Sequence, residues 1–206
     1  FDLVFDTYRA MRSLGLSIDI LQPAADLAGY KLIAAPGLMH MSDALKSALR
    51  QSGAVVVFGP RSGARDISMR IPAPLPPAMP GLNTTVSRVE SLRADMPVPL
   101  RSGGAIVHYR EFLEGDVDVI EMTNDGSPAI VSEGNLIYVA GLLDASALRR
   151  AIRTACAKAV VKTIELPDGV RRRSTGQECF WFNYSTEERE AAGVTFPPLS
   201  VSRIGN

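Results

Sequence analysis

The strongest pattern in this 206-residue sequence is an uninterrupted apolar run over residues 54–58. It shows no polar alternation, which is typical of a strand that is covered on both faces in a parallel sheet. The run ends at Gly59 and Pro60, and a loop continues to Asp66. Because ligands of open α/β sheets bind at the carboxyl ends of the strands, the loop 59–66 is the first candidate site.

The segments before this strand predict a layered α/β arrangement. Helical and alternating spacings predict a helix over residues 1–14, strands over 17–21 and 30–35, and a helix over 43–51. Gly15 is a typical helix stop, and Ser42 is a typical N-cap. Helices between parallel strands indicate a doubly wound sheet with right-handed crossovers. Such a sheet starts with a strand before its first helix, so we expect one ahead of residue 1.

The pattern of residue types changes after Asp66. Five prolines within residues 71–81 predict an extended connector without regular structure. Four short apolar segments separated by turns then predict an antiparallel excursion at the edge of the main sheet, over residues 85–92, 105–112, 117–122 and 129–131. A buried parallel strand over 136–140 and a helix over 146–161 restore the βα order.

The last forty residues show no helical period. Short strands are predicted over residues 170–173, 178–184 and 193–196, with turns between them. The sequence therefore predicts an α/β domain over residues 1–163, a doubly wound sheet with the antiparallel excursion. A small all-β module is predicted over residues 164–206. The single tryptophan, Trp181, is expected in the core of that module, with a sugar-stacking surface as the alternative.

Charge and composition narrow the class of protein. Lys plus Arg and Asp plus Glu both total 22, so there is no basic surplus for general nucleic-acid binding. The run Arg171-Arg172-Arg173 is interpreted as solvated charge at a strand end. No apolar run approaches the length of a membrane span, and no secretory signal opens the sequence. Two unclustered cysteines, Cys156 and Cys179, favour a reducing compartment, and we predict a cytoplasmic protein.

The predicted sheet resembles the flavodoxin-like folds and the class I glutamine amidotransferases, so the first test is for a nucleophile. Thiol chemistry needs a cysteine on the tight turn after the central strand and a histidine to activate it. Pro60 occupies the apex here, and neither cysteine is nearby in sequence. The remaining possibility is an amidotransferase-like hydrolase that uses Ser62 and His40, without an obvious acid to orient the histidine.

The second test is for an anion site. Arg61, Ser62, Gly63 and Asp66 form a loop that offers backbone amides and a guanidinium group, which suit an anion. The loop lacks the spacing and the lysine of a phosphate-binding P-loop. The competing interpretation is that Arg61 and Asp66 pair, within the loop or across an interface, and fix the shape of the loop. A sugar- or anion-binding module therefore stays open as an alternative function.

Paired carboxylates and metal ligands are the third test. Several acidic residues lie close in sequence on predicted strands and turns: Glu111, Glu114, Asp116, Asp118 and Glu121. Nothing in their spacing sets two of them at the separation that glycoside hydrolysis requires. Two separated histidines and two unclustered cysteines do not form a metal-binding motif. The sequence predicts no catalytic residue, no metal and no cofactor.

Several segments together resemble one enzyme family. The segments are residues 8–15, Asp19, residues 25–33, Ala35-Pro36, the loop 59–66, and residues 166–170 and 180–185. Their order and spacing are similar to those of the trimerisation domain and small C-terminal β domain of glycoside hydrolase family 42 β-galactosidases. The resemblance covers nearly the whole chain.

This resemblance implies a function without catalysis in the chain itself. In the family, the two catalytic glutamates lie on an upstream TIM barrel, which these 206 residues do not contain. The amidotransferase-like domain assembles the enzyme into a homotrimer and contacts the barrels. We therefore expect a non-catalytic trimerisation region of an enzyme that hydrolyses terminal β-D-galactosides.

Overall fold

A computed structural model describes residues 2–205. The three helices are α1 (Asp2–Ser13), α2 (Asp43–Gln51) and α3 (Ala145–Lys158). The first nine strands are β1 (Leu32–Pro36), β2 (Val55–Gly59), β3 (Thr84–Ser91), β4 (Val98–Pro99), β5 (Ala105–Gly115), β6 (Asp118–Met122), β7 (Pro128–Glu133), β8 (Leu136–Val139) and β9 (Gly141–Leu143). The remaining strands are β10 (Val170–Ser174), β11 (Glu178–Asn183), β12 (Arg189–Ala191), β13 (Val194–Phe196) and β14 (Ser200–Gly205).

The main sheet has five strands in the order β1-β2-β8-β7-β6. β1, β2 and β8 run parallel, whereas β7 and β6 are antiparallel to their neighbours. Every residue of β2 is buried, which confirms the interior strand that the apolar run predicts. The chain is thus a mixed α/β protein with several sheets and more strands than helices.

Helices cover the main sheet on both faces. Val55 and Val57 of β2 belong to an apolar cluster that includes the buried side of α1 and α3. Val56 and Phe58 point the other way, into a cluster with Leu45 of α2. The alternation of side chains along a strand explains why an apolar residue is required at every position of β2. Ser42 caps α2 through a 3.2 Å hydrogen bond from the amide of Leu45, as predicted.

The antiparallel excursion is divided between two sheets, which corrects the sequence prediction. β6 and β7 extend the main sheet, whereas β3, β5 and β4 form a second sheet that β9 also joins. The long strand β5 changes register near His108, whose φ is +61°. A bulge bends a strand and redirects its pairing, and it leaves no clear signal in an apolar pattern.

The C-terminal strands form two small sheets, β10-β11-β14 and β12-β13, around their own apolar cluster. Trp181 lies in that cluster and is 6% exposed. Phe196 stacks on its ring with the centroids 5.1 Å apart, and the guanidinium of Arg172 lies over it. The expected core position is confirmed, and a ring with so little exposed surface is not available for stacking a sugar.

Residues 17–21 do not form the predicted strand. Ile20 is 85% exposed, although the alternating pattern would place it on a covered face. A strand exists only when its backbone pairs with a neighbour, which local pattern cannot supply. The proline-rich residues 71–81 lack helix and strand, as predicted. Within residues 2–205, no helix has the length and apolar character needed to cross a membrane.

Candidate functional site

The loop after β2 is anchored against the residues that follow β1. The amide of Gly63 donates to the carbonyl of Leu38 at 2.9 Å, and the amide of Arg65 donates to Met39 at 2.8 Å. Arg61 has a φ of +65°, which is uncommon for a residue with a side chain. The loop is therefore a tightly held turn at the carboxyl edge of the parallel strands.

Ser62 has a structural role in this turn. It is fully buried, and its hydroxyl accepts a 2.9 Å hydrogen bond from the amide of Gly59. A nucleophilic hydroxyl must reach its substrate, and this one faces the protein interior. His40 is exposed, with Nδ1 3.4 Å from the carbonyl oxygen of Arg65. The geometry does not support the predicted alternative of a hydrolase that uses Ser62 and His40.

We expect Ser62→Ala to lower the free energy of unfolding by about 1–3 kcal/mol, because the buried amide of Gly59 loses its acceptor. Urea denaturation of the two proteins measures the difference. The exposed Ser68→Ala is a control and should change the stability by less than about 0.5 kcal/mol. An unchanged stability for Ser62→Ala would contradict the structural role of this hydroxyl.

Glu111 on β5 is the residue that holds the turn from the opposite side. Its Oε1 accepts hydrogen bonds from the amide of Arg61 at 2.8 Å and from the hydroxyl of Tyr109 at 3.1 Å. Its Oε2 accepts a 2.6 Å hydrogen bond from the hydroxyl of Tyr138 on β8. The carboxylate therefore ties β5, β8 and the loop together at one point.

Burial governs the electrostatics of this cluster. Glu111 is 4% exposed, and this burial raises the pKa of its carboxyl group against the opposing effect of its three hydrogen bonds. Burial also raises the pKa of Tyr138 and Tyr109, and the nearby carboxylate raises both further. Both oxygens of Glu111 are occupied by donors within the protein. The arrangement braces the turn and offers no free carboxylate for general acid or base chemistry.

The sequence places Glu111 among several neighbouring acidic residues and gives no prediction of this bracing role. Its position beside Tyr109 in an amphipathic strand resembles that of any half-buried strand residue. The partner Tyr138 lies 27 positions away, on a strand of the other sheet. The one available signal is a carboxylate on the same strand face as an aromatic hydroxyl, two residues apart.

The raised pKa of Glu111 predicts a pH dependence of stability. The native state holds this proton more tightly than the unfolded chain. The contribution of Glu111 to stability therefore falls as pH rises from the ordinary glutamate pKa, about 4.3, to the higher native pKa. We expect the stability of the wild type relative to Glu111→Gln to decrease across that interval and then to level off.

Chemical denaturation of both proteins from about pH 4 to pH 8 measures this difference. Asp66 and Asp144 have lowered carboxyl pKa values, so their contributions to stability increase as pH rises. They are present in both proteins and cancel in the comparison. A difference that stays constant or rises with pH would contradict the buried, proton-retaining carboxyl group.

The predicted anion-binding residues are only partly brought together. Asp66 accepts hydrogen bonds from the amides of Ser68 and Arg70, and it pairs with the side chain of Arg70 at 3.3 Å. Arg61 and Asp66 therefore do not pair with each other within the loop, and a pair across an interface stays a prediction. The guanidinium of Arg61 instead lies over the ring of Tyr109, 5.7 Å from its centroid. The amides of Arg61 and Gly63 already donate to protein acceptors.

The other reactive groups of the described residues also have structural surroundings. Glu121 is buried, and Arg150 approaches its carboxylate at 3.7 Å. Cys156 and Cys179 are both buried and unpaired, and burial raises the pKa of the Cys156 thiol to about 11. No group of three His, Cys, Asp or Glu residues suited to a metal ion occurs within residues 2–205.

At the turn after β2, the hydroxyl of Ser62 and the carboxylate of Glu111 are both buried and hydrogen-bonded within the protein. In the comparison with known families, residues 1–162 match the model described as the beta-galactosidase trimerisation domain. The chain belongs to that family. This confirms the family that the sequence segments resemble.

The following relatives and solved structure, to which the chain is similar, are all β-galactosidases. The β-galactosidase of Thermus thermophilus is 33% identical over 195 residues, a match that covers 92% of this chain and 30% of that protein. The β-galactosidase of Halorubrum lacusprofundi is 28% identical over 228 residues, covering 94% and 32%. The crystal structure of the Marinomonas ef1 β-galactosidase superposes with a TM-score of 0.89 at 28% identity, covering 98% of this chain and 33% of that one. The chain thus spans about a third of the length of these relatives.

Proposed function

We propose that the chain is the non-catalytic trimerisation region of a longer β-galactosidase that hydrolyses terminal β-D-galactosides. The observation that carries this proposal is the match of residues 1–162 to the trimerisation-domain family. The buried Ser62 and the occupied carboxylate of Glu111 are consistent with it, because neither group is available to a substrate. The catalytic carboxylates then lie on a TIM barrel outside these residues.

The proposed assembly is a homotrimer in which this region contacts the barrel domains. A trimer requires two different complementary surfaces on each subunit, because a threefold ring is heterologous. The proposal includes no cofactor, nucleic acid or membrane as a partner. It places the protein in the cytoplasm, in keeping with two unpaired cysteines.

We also propose a finer description of the fold and its domains. Three parallel strands with helices on both faces favour an amidotransferase-like, doubly wound arrangement for residues 1–163. The separate sheets and apolar cluster of the C-terminal strands favour a second domain over residues 164–206. Limited proteolysis that releases these two segments as stable pieces would support this division, and cleavage within β2 or β11 would contradict it.

Hydrolysis of a nitrophenyl β-D-galactoside tests the function. The longer protein that contains this chain should hydrolyse it, whereas the 206 residues alone should not. A rate for the isolated chain above the buffer rate, lost on Ser62→Ala, would overturn the assignment of a non-catalytic region. A longer protein that does not hydrolyse the galactoside but hydrolyses another glycoside would overturn the proposed substrate.

Anion binding at the loop is a second candidate, and its support is limited to the exposed guanidinium of Arg61. The candidate site comprises Arg61, Ser62, Gly63 and Asp66. Since the amides of Arg61 and Gly63 are engaged, we expect phosphate to bind with a dissociation constant no tighter than the millimolar range. Calorimetric titration of the wild type, Arg61→Ala and the exposed control Arg93→Ala measures this. Binding in the micromolar range that only Arg61→Ala abolishes would show a dedicated anion site.

A further inference from the structure

The segment that follows the turn after β2 carries an exposed apolar surface. Within residues 67–75, four large apolar side chains are between 47% and 82% exposed: Ile67, Met69, Ile71 and Leu75. Asp66 fixes the start of this segment, because its carboxylate accepts hydrogen bonds from the amides of Ser68 and Arg70. Neighbouring apolar side chains that are exposed together are typical of a surface that another protein covers.

The same segment is positively charged. The basic segment, residues 61–75, contains three arginines and one aspartate. Asp66 pairs with Arg70, whereas Arg61 and Arg65 form no ion pair with any of residues 2–205. Two positive charges beside an exposed apolar surface fit a partner surface that is acidic and apolar.

A surface with the opposite charge lies at the last strand of the main sheet. The acidic edge, residues 114–120, runs from the end of β5 into β6 and has no basic residue and three exposed carboxylates, those of Glu114, Asp116 and Asp118. None of the three forms an ion pair in the described part of the chain. Val119 and Ile120 are 45% and 37% exposed beside them. The acidic edge therefore has the charge and the apolar side chains that would complement the basic segment.

The two surfaces are held apart within one subunit. The basic segment continues from β2, and β8 and β7 lie between β2 and β6 in the sheet. Adjacent strands are about 4.8 Å apart, so roughly 14 Å separates β2 from β6. Because both surfaces are attached to one sheet and their charges do not pair with each other, each is available to a neighbouring subunit.

We propose that the basic segment of one subunit binds the acidic edge of the next in a head-to-tail ring of three copies. The inference rests on the proposed function as a trimerisation region and identifies the two different surfaces that a threefold ring requires. Contact of either surface with its own copy is disfavoured, because like charges would face each other. The apolar side chains of both surfaces then form the centre of the interface, and the charges form its rim.

Charge reversal in the longer protein tests this contact. Arg61→Glu and Asp118→Arg should each raise the concentration at which the trimer dissociates by at least about tenfold, because each brings like charges together. The variant with both substitutions should dissociate at a lower concentration than either single variant, since opposite charges face each other again. Light scattering over a dilution series measures the dissociation.

The exposed ion pair between Arg93 and Asp95 supplies the matched controls. Arg93→Glu and Asp95→Arg make the same charge changes outside both surfaces and should leave dissociation unchanged. Equal dissociation of the wild type, Arg61→Glu and Asp118→Arg would overturn the proposal. Weakening by Arg61→Glu that Asp118→Arg does not reverse would also overturn it, because the basic segment would then bind a different surface.

Cysteine cross-linking tests the head-to-tail arrangement without relying on charge. Cys156 and Cys179 are buried, so thiols introduced at exposed positions can be modified selectively in this region. In the longer protein, a short bifunctional maleimide should link Ile67→Cys of one subunit to Val119→Cys of the next. The double variant should therefore give covalent dimers and trimers, and each single variant should give no more than the wild type. Covalent dimers from one single variant, or none from the double variant, would overturn the contact.

Two results separate this contact from the proposed function. A trimer that survives every charge reversal, with no cross-links in the double variant, would overturn the contact and leave the trimerisation role in place. A wild-type longer protein that is monomeric at every concentration would overturn the trimerisation role itself. Galactoside hydrolysis, measured in parallel, tests the proposed substrate independently of both.

Discussion

The Glu111→Ala variant is expected to lose about 2–4 kcal/mol of stability. The substitution leaves the fully buried hydroxyl of Tyr138 and the amide of Arg61 without their acceptor. Each buried donor left unsatisfied costs about 1–3 kcal/mol. Relief from burying the carboxylate offsets part of this cost, which keeps the total below the simple sum.

Denaturant unfolding measures the effect, and β5 itself supplies the control. Glu114→Ala removes a carboxylate from an exposed position of the same strand and should change stability by less than about 0.5 kcal/mol. Tyr138→Phe removes the buried donor and leaves the carboxylate with two partners, so its loss should be smaller than that of Glu111→Ala. Equal stabilities for Glu111→Ala and Glu114→Ala would show that the carboxylate does not brace the turn.

The Gly59→Ala variant is expected to lower the free energy of unfolding by about 3–5 kcal/mol. Gly59 has a φ of +90°, and a Cβ there would lie 2.5 Å from the carbonyl oxygen of Val139 and 2.8 Å from the ring of Tyr138. The backbone conformation and the overpacking each cost about 1–3 kcal/mol. β2 and β8 would have to separate at the level of the turn to admit the methyl group.

Gly53→Ala is the matched control for this prediction. Gly53 also has a positive φ, +69°, but a Cβ there meets nothing within 4 Å. It should therefore lose only the cost of holding an alanine at a positive φ, about 1–2 kcal/mol. Thermal or urea unfolding of the two variants distinguishes the stability lost to the close contact from the stability lost to backbone strain. Similar losses in both would contradict the tight contact between β2 and β8.

Local pattern was sufficient for much of the fold. The apolar run of β2, the Ser42 cap of α2 and the burial of Trp181 all follow from residue types and short-range spacing. The division of the antiparallel strands between two sheets did not, because strand pairing depends on contacts between distant segments. Residues 17–21 are a second example. Their alternating pattern predicts a strand, but a local pattern cannot show whether another segment pairs with it.

The candidate site likewise has features that the sequence predicts and features that it does not. The absence of a thiol at the turn is visible in the sequence, since Pro60 occupies the apex. The burial of Ser62 and the pairing of Asp66 with Arg70 required the path of the loop in three dimensions. Glu111 required more, because two of its three donors, the amide of Arg61 and the hydroxyl of Tyr138, come from segments distant in sequence. These two long-range hydrogen bonds leave no spacing to detect.

The most direct test of the central claim is the solution mass of the longer protein by size-exclusion chromatography with light scattering. The measurement compares the intact protein with a version that lacks residues 1–162, the segment that matches the trimerisation-domain family. We expect the mass of three subunits for the intact protein and of one subunit for the shortened version. A trimer that persists without residues 1–162, or an intact protein that is monomeric at all concentrations, would contradict it.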